Sequence, residues 1–116
     1  MSSSRDVAVV IPAKNESDRI QATVAGAAGL PGVDLVVVVD DGSTDGTAAL
    51  AGDAGATVVR HSRGRGKAAA METGAEAVRL VEATATPGAA GPPRHLLFLD
   101  GDLGATAAEA GPLIGP

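Results

Sequence analysis

Five consecutive apolar residues, Val7-Ala8-Val9-Val10-Ile11, stand near the start of the chain, and Leu35-Val36-Val37-Val38-Val39 repeats the pattern after a polar interval. A strand with one wet face alternates apolar and polar residues. An unbroken β-branched run is instead a strand buried on both faces, and such strands belong to parallel sheets covered by helices on either side. Pro12 is expected to close the first run. Shorter runs at Thr57–Arg60 and at 95–99 read as a third strand and a fourth buried strand.

The intervals have the character of crossover helices. Over 17–29, Ile20, Val24 and Ala27/Ala28 recur at helical spacing, and Gly29 followed by Pro31 is a stop signal. After 35–39, Ser43 or Thr44 can cap a second helix that runs to about Ala54 and ends at Gly55. A third helix is expected over 68–83, a proline-rich flexible surface loop over 84–94, and the start of another helix over 106–110. Alternation of this kind predicts an α/β domain of three layers, Rossmann-like, around a mainly parallel sheet of about four strands. Ligands of such sheets bind beyond the carboxyl ends of the strands. Those ends carry Lys14-Asn15-Glu16, Asp40-Asp41, the loop 63–67 and Asp100-Gly101-Asp102.

Composition narrows the partners. The 116 residues suit one domain, whose single aromatic residue, Phe98, leaves Val, Leu, Ile and Ala to build the core and offers no base-stacking platform for single-stranded nucleic acid. A net charge of −5 argues against nucleic acid or anionic lipid as a partner of the overall field. The absence of cysteine removes disulfides, thiol nucleophiles and Cys-based zinc sites, and fits a cytoplasmic protein. No apolar segment is long enough for a membrane span, and the first residues do not form a signal peptide.

Asp100-Gly101-Asp102 places two carboxylates side by side after an apolar strand. Hard cations such as Mg²⁺ or Mn²⁺ take oxygen ligands and keep positions open for substrate phosphates, so the turn is either a metal-diphosphate site or a solvated acidic turn. Asp40 and Asp41 are acceptors for a base or ribose, or else turn residues; Glu16 is a ribose ligand or a favourable charge at a helix start. In Arg63-Gly64-Arg65-Gly66-Lys67, backbone amides, a helix N-terminus and Lys67 can together face a diphosphate, unless the cluster is only a solvated loop. It is not a Walker loop, since His61 and Ala68 stand where that motif needs Gly and Ser or Thr. Gly64-x-Gly66-x-x-Ala69 meets the dinucleotide fingerprint loosely, but after the third strand rather than the first. No Gly-x-Ser-x-Gly or His-Glu-x-x-His pattern supports a serine hydrolase or a zinc protease.

Taken together, Val9-Val10-Ile11-Pro12-Ala13-Lys14-Asn15-Glu16, Val37-Val38-Val39-Asp40-Asp41-Gly42-Ser43-Thr44-Asp45-Gly46-Thr47, Gly66-Lys67-Ala68-Ala69-Ala70 and Leu97-Phe98-Leu99-Asp100-Gly101-Asp102 resemble the family 2 type of glycosyltransferases with the GT-A fold. The four motifs occur in the family's order and cover nearly the whole chain. The resemblance implies an enzyme that moves a sugar from a UDP- or GDP-linked donor to an acceptor that the sequence does not identify. It implies that Pro12, Ala13 and Glu16 border the nucleoside, that Asp40 accepts from the base, and that Lys67 lies near the diphosphate. Asp100 and Asp102 correspond to the family's DxD motif, with Asp102 on the metal (Mg²⁺ or Mn²⁺) and Asp100 nearer the ribose or a metal-bound water.

Family domains of this kind are longer, and their second half holds the acceptor pocket and, in inverting members, the catalytic base. Glu109, the only acid after Asp102, sits too close to the metal turn for that role. Residues 1–116 are therefore expected to be the N-terminal, nucleotide-diphospho-sugar-binding part of a GT-A domain, truncated, with the base and any membrane anchor of a longer parent beyond Pro116. An uncovered sheet edge would then favour instability or self-association. Two other readings follow from the same residues: a nucleotide-binding fragment without catalysis, and a Rossmann-type dinucleotide-binding protein that uses the Gly64 loop.

Overall fold

A computed structural model of the chain describes residues 7–85 and 95–99. In chain order the elements are β1 (Val7–Ala13), α1 (Ile20–Ala28), β2 (Val33–Asp40), α2 (Thr47–Asp53), β3 (Thr57–Arg60), α3 (Lys67–Ala85) and β4 (His95–Phe98). The strands form one sheet in the order β3-β2-β1-β4, and every pairing is parallel. This is the three-layer α/β architecture expected from the β-branched runs.

Successive side chains of a strand point to opposite faces, and both faces of β1 and β2 are buried for that reason. Val9, Ile11, Val36 and Val38 pack with Ile20, Val24 and Ala27 of α1 and Ala51 of α2. Ala8, Val10, Val37 and Val39 pack on the other side with Ala70 and Val78 of α3. Small residues set the spacing of that second layer. A Cβ on Gly74 would lie 2.2 Å from Val10 Cγ1 and 3.2 Å from Val39 Cγ2, so glycine lets α3 approach the sheet more closely than any other residue would.

Three local expectations are revised. β1 continues through Pro12 to Ala13. The carbonyl of Ala13 accepts from Asp41 N on the β2 side and that of Val10 from Leu99 N on the β4 side, so the N–H that Pro12 lacks would point toward β4, past the last paired residues Val10 and Phe98. β4 is not buried: Leu96 and Phe98 are each 39% exposed. It is an edge strand among the described residues, and α3 lies chiefly over β1 and β2, which leaves that face of β4 open. The third helix runs to Ala85, so Thr84 and Ala85 belong to it; the remainder of the expected loop, 86–94, and the helix expected over 106–110 lie outside the described residues. No helix among the described residues is long and apolar enough to cross a membrane.

Candidate functional site at the carboxyl edge of the sheet

The loops after β1 and β2 are tied to each other. Asn15, whose φ of 54° lies in the left-handed region that Asn tolerates, donates its N–H to Ser43 Oγ (2.8 Å), and its Oδ1 accepts from Thr44 N (2.9 Å). Glu16 N donates to Thr47 Oγ1 (2.9 Å) and Ser17 N to Asp45 Oδ2 (3.2 Å). Two expectations are revised here. Ser43 and Thr44 clasp the first loop instead of capping α2, and Asp45 Oδ1 takes the N–H of Thr47 (3.0 Å) at that helix start. Residues 17–19 form a turn, and α1 begins at Ile20 rather than at Ser17. The side-chain bond from Thr47, with the further donors, holds the Asp45 carboxyl down at about 2 from an ordinary 3.8.

Asp40 ends β2, Asp41 follows it, and the two face different partners. Asp40 is fully buried. Its Oδ1 accepts from Ser43 N (2.9 Å), while Oδ2 lies 3.1 Å from Arg60 Nε as an ion pair without hydrogen-bond alignment. Arg60 also donates to the Ser43 carbonyl (3.2 Å), bridging the carboxylate and its turn from the adjacent strand β3. The Asp40 carboxylate thus keeps one buried oxygen without a hydrogen bond at the strand end.

Asp41 is saturated. Its Oδ1 accepts from Arg65 N (2.8 Å) and His61 Nδ1 (2.7 Å), and its Oδ2 accepts from Gly66 N (2.9 Å). Burial pushes this carboxyl up, and the bonds from His61, Arg65 and Gly66 outweigh that and hold it below the ordinary range. The backbone fits closely here. Gly42 has φ +82°, and a Cβ on it would lie 2.6 Å from Gly64 N; a Cβ on Gly64 would lie 2.8 Å from Lys14 Nζ. The Arg65 and Gly66 amides therefore point inward to Asp41 and are not turned out toward a phosphate. That corrects the expectation of a diphosphate-facing role for these two loop amides, which are spent on Asp41.

The nucleotide-binding residues expected from the sequence gather along one edge. Pro12 and Ala13 are buried at the end of β1, Glu16 is half-buried and paired with Arg19 (3.5 Å), Asp40 ends β2, and Lys67 is the exposed first residue of α3. Asp100 and Asp102 lie outside the described residues, which end at Leu99, where its N–H bonds the Val10 carbonyl beside β1. Among the described residues no group of three His, Asp or Glu side chains is arranged to hold a metal. Sequence reasoning did not single out Arg60, His61 or Thr73. Only their meeting with Asp40 and Asp41 across the sheet marks them, and one sequence carries no signal of that meeting.

A parallel sheet between helical layers, with polar residues collected at its carboxyl edge, defines a Rossmann-like α/β domain, the class whose ligands bind at that edge. The Glycosyl transferase family 2 pattern matches residues 8–107, and the chain belongs to that family. The succinoglycan biosynthesis protein ExoU of Rhizobium meliloti (strain 1021) is 46% identical over 70 residues, 56% of this chain and 20% of that protein. Glucosyl-3-phosphoglycerate synthase from Mycobacterium tuberculosis, solved with Mn²⁺, UDP and glucosyl-3-phosphoglycerate, is 27% identical at a TM-score of 0.62, covering 96% of this chain and 40% of that one. Mannosyl-3-phosphoglycerate synthase from Rubrobacter xylanophilus is 27% identical at a TM-score of 0.57, covering 83% and 30%. The chain thus spans a minor part of the length of each of these relatives.

Proposed function

We propose that this chain carries the donor-binding part of a glycosyltransferase that moves a sugar from a nucleoside-diphosphate sugar, UDP-linked as in the M. tuberculosis synthase, to an acceptor hydroxyl. The observation that carries the reading is Asp40 Oδ2, a buried carboxylate oxygen at the carboxyl edge of a parallel sheet that has Arg60 Nε beside it at 3.1 Å as an ion pair but accepts no hydrogen bond. A buried acceptor left this way costs free energy until a donor meets it, and the N–H of a uracil or guanine ring is such a donor. Pro12, Ala13 and Glu16 border the base and ribose, and Lys67 stands toward the diphosphate.

Asp100 and Asp102, separated by Gly101 and following β4 after Leu99, supply carboxylate oxygens suited to Mg²⁺ or Mn²⁺, with Asp102 the metal ligand and Asp100 toward the ribose or a metal-bound water. A divalent ion bound there would supply positive charge to the departing nucleoside diphosphate. The remaining work falls to the chain: Asp40 orients the base, the clasp between Asn15 and Ser43 fixes the wall beside it, and Lys67 adds a cation. The open β4 edge, with Leu96 and Phe98 exposed, supports self-association as part of the same reading.

Calorimetric titration with UDP and with GDP, each with and without Mn²⁺, tests the proposal. Metal-dependent binding of one diphosphate is expected. Asp102→Asn should abolish the metal dependence, and Asp40→Ala should weaken binding about tenfold or more, as loss of a charged hydrogen bond does. A folded wild-type chain that binds neither nucleotide contradicts the proposal. Release of the sugar from a UDP-sugar would separate the transferase from a binding fragment without catalysis.

A further inference from the structure

The donor-site reading uses Asp40 and leaves a second buried array unexplained. Asp41 and His61 are 6% and 7% exposed, just after β2 and just after β3, and His61 is joined in turn to Thr73 on α3. A carboxylate only accepts, so His61 Nδ1 carries the proton it gives to Asp41 Oδ1, and Nε2 lies 2.8 Å from Thr73 Oγ1. The series has the connectivity of a hydrolytic triad, yet Thr73 stands inside α3, where backbone N–H groups are committed to the helix and cannot stabilise an oxyanion.

The other bonds of Asp41 show what the array holds. Successive amides at Arg65 and Gly66 converge on its two oxygens, and Gly66 takes φ +96°, so the loop forms an anion-binding concavity with a side chain of the same protein as the anion. Lys67, the next residue, opens α3, and Ala70 N bonds the Gly66 carbonyl (3.0 Å). The position of Lys67 therefore depends on how firmly Asp41 grips the two amides before it. His61 meets the same carboxylate oxygen as Arg65 N, and Thr73 anchors His61.

We propose that Asp41 and His61 are positioning residues for the diphosphate: the buried carboxylate fills the loop's concavity as an internal anion, and His61, anchored on Thr73, holds it so that the loop presents Lys67 to the ligand. The inference rests on the reading of Lys67 as a diphosphate residue. It predicts an effect on the diphosphate alone, since the base and ribose are met by the β1 and β2 loops. The discriminating quantity is the ratio of UDP to UMP affinity, measured by calorimetry in Mn²⁺ on the full chain. In His61→Ala the UDP affinity falls about ten- to hundredfold, the scale of a lost charged hydrogen bond, with UMP changed less than about twofold. His61→Asn, whose amide can stand where Nδ1 stood, restores most of the ratio, and Thr73→Val lowers it in part.

A variant that is merely less folded loses both ligands by one factor and leaves the ratio as it was; an unchanged ratio in a wild-type chain that binds UDP overturns the inference. Amide hydrogen exchange examines the anchor without nucleotide. The Arg65 and Gly66 amides are expected to be protected in the wild type and to exchange faster in His61→Ala, while amides of β1 and β2 keep their protection. Equal exchange in both chains overturns the anchor itself. Wild-type protection with no uptake of UDP instead removes the reading of Lys67, and the positioning role falls with it while the anchor stands.

Discussion

Asp40 and Asp41 are adjacent in sequence, equally buried in practice, and differ in what remains for a ligand. Asp40 retains an oxygen without a hydrogen bond; Asp41 spends both on the loop 61–66. Asp45 shows a third fate, binding Ser17 N and both the N–H and the hydroxyl of Thr47, which joins the first two loops. Its folded carboxyl, at about 2, lies below the ordinary 3.8, and Asp41 is displaced in the same direction. A carboxyl lowered on folding stabilises the native state above its unfolded pKa, and that stability is lost as pH falls through the folded value. The urea midpoint is therefore expected to drop between pH 4 and pH 2, and Asp45→Asn should flatten that part of the profile. A profile equally steep in the variant would remove Asp45 from the account. The doubled aspartate and the Asp45 turn were visible as polar strand-end residues in the sequence. Which of them is free to take a ligand was not, because the answer lies with Arg60, His61 and Arg65, brought in from other elements.

At the scale of elements, the β-branched runs carried most of the information. Runs buried on both faces specify parallel strands, and the four strands and three helices stand where hydrophobic spacing puts them. One departure has a local cause: Pro12 is tolerated because its missing donor faces past the end of β4. Gly74 is a different case, since a glycine in the middle of a 19-residue helix argues locally against the helix. Its reason is the sheet. Gly74→Ala gains about 1 kcal/mol of helix propensity but drives a methyl to 2.2 Å from Val10 Cγ1 and 3.2 Å from Val39 Cγ2. A net loss of about 1–3 kcal/mol is expected in urea unfolding, with partial recovery when Val10→Ala is added. A Gly74→Ala chain more stable than wild type would show that α3 does not press on the sheet at that point.

For the whole molecule, polar chemistry is collected at one end of an otherwise apolar sheet. The loops after β1, β2 and β3 are bonded to one another there through Ser43, Asp45, Arg60 and Asp41. Family and fold class were legible from four motifs in order, and so was the gathering of polar residues at the carboxyl edge. The exposure of β4 was not, because an apolar tetrapeptide reads alike whether or not a helix covers it; only the placement of α3 over β1 and β2 decides that. The central claim is that this edge takes a nucleoside diphosphate. Backbone NMR of the chain titrated with UDP in Mg²⁺, which avoids the paramagnetic broadening of Mn²⁺, examines it residue by residue. The account predicts shifts concentrated at 12–16, 40–44 and 64–68, with the helix faces far from the edge unchanged. Shifts centred instead on the open groove beside Thr73, Glu76 and Leu80, or none in a folded chain, would contradict it.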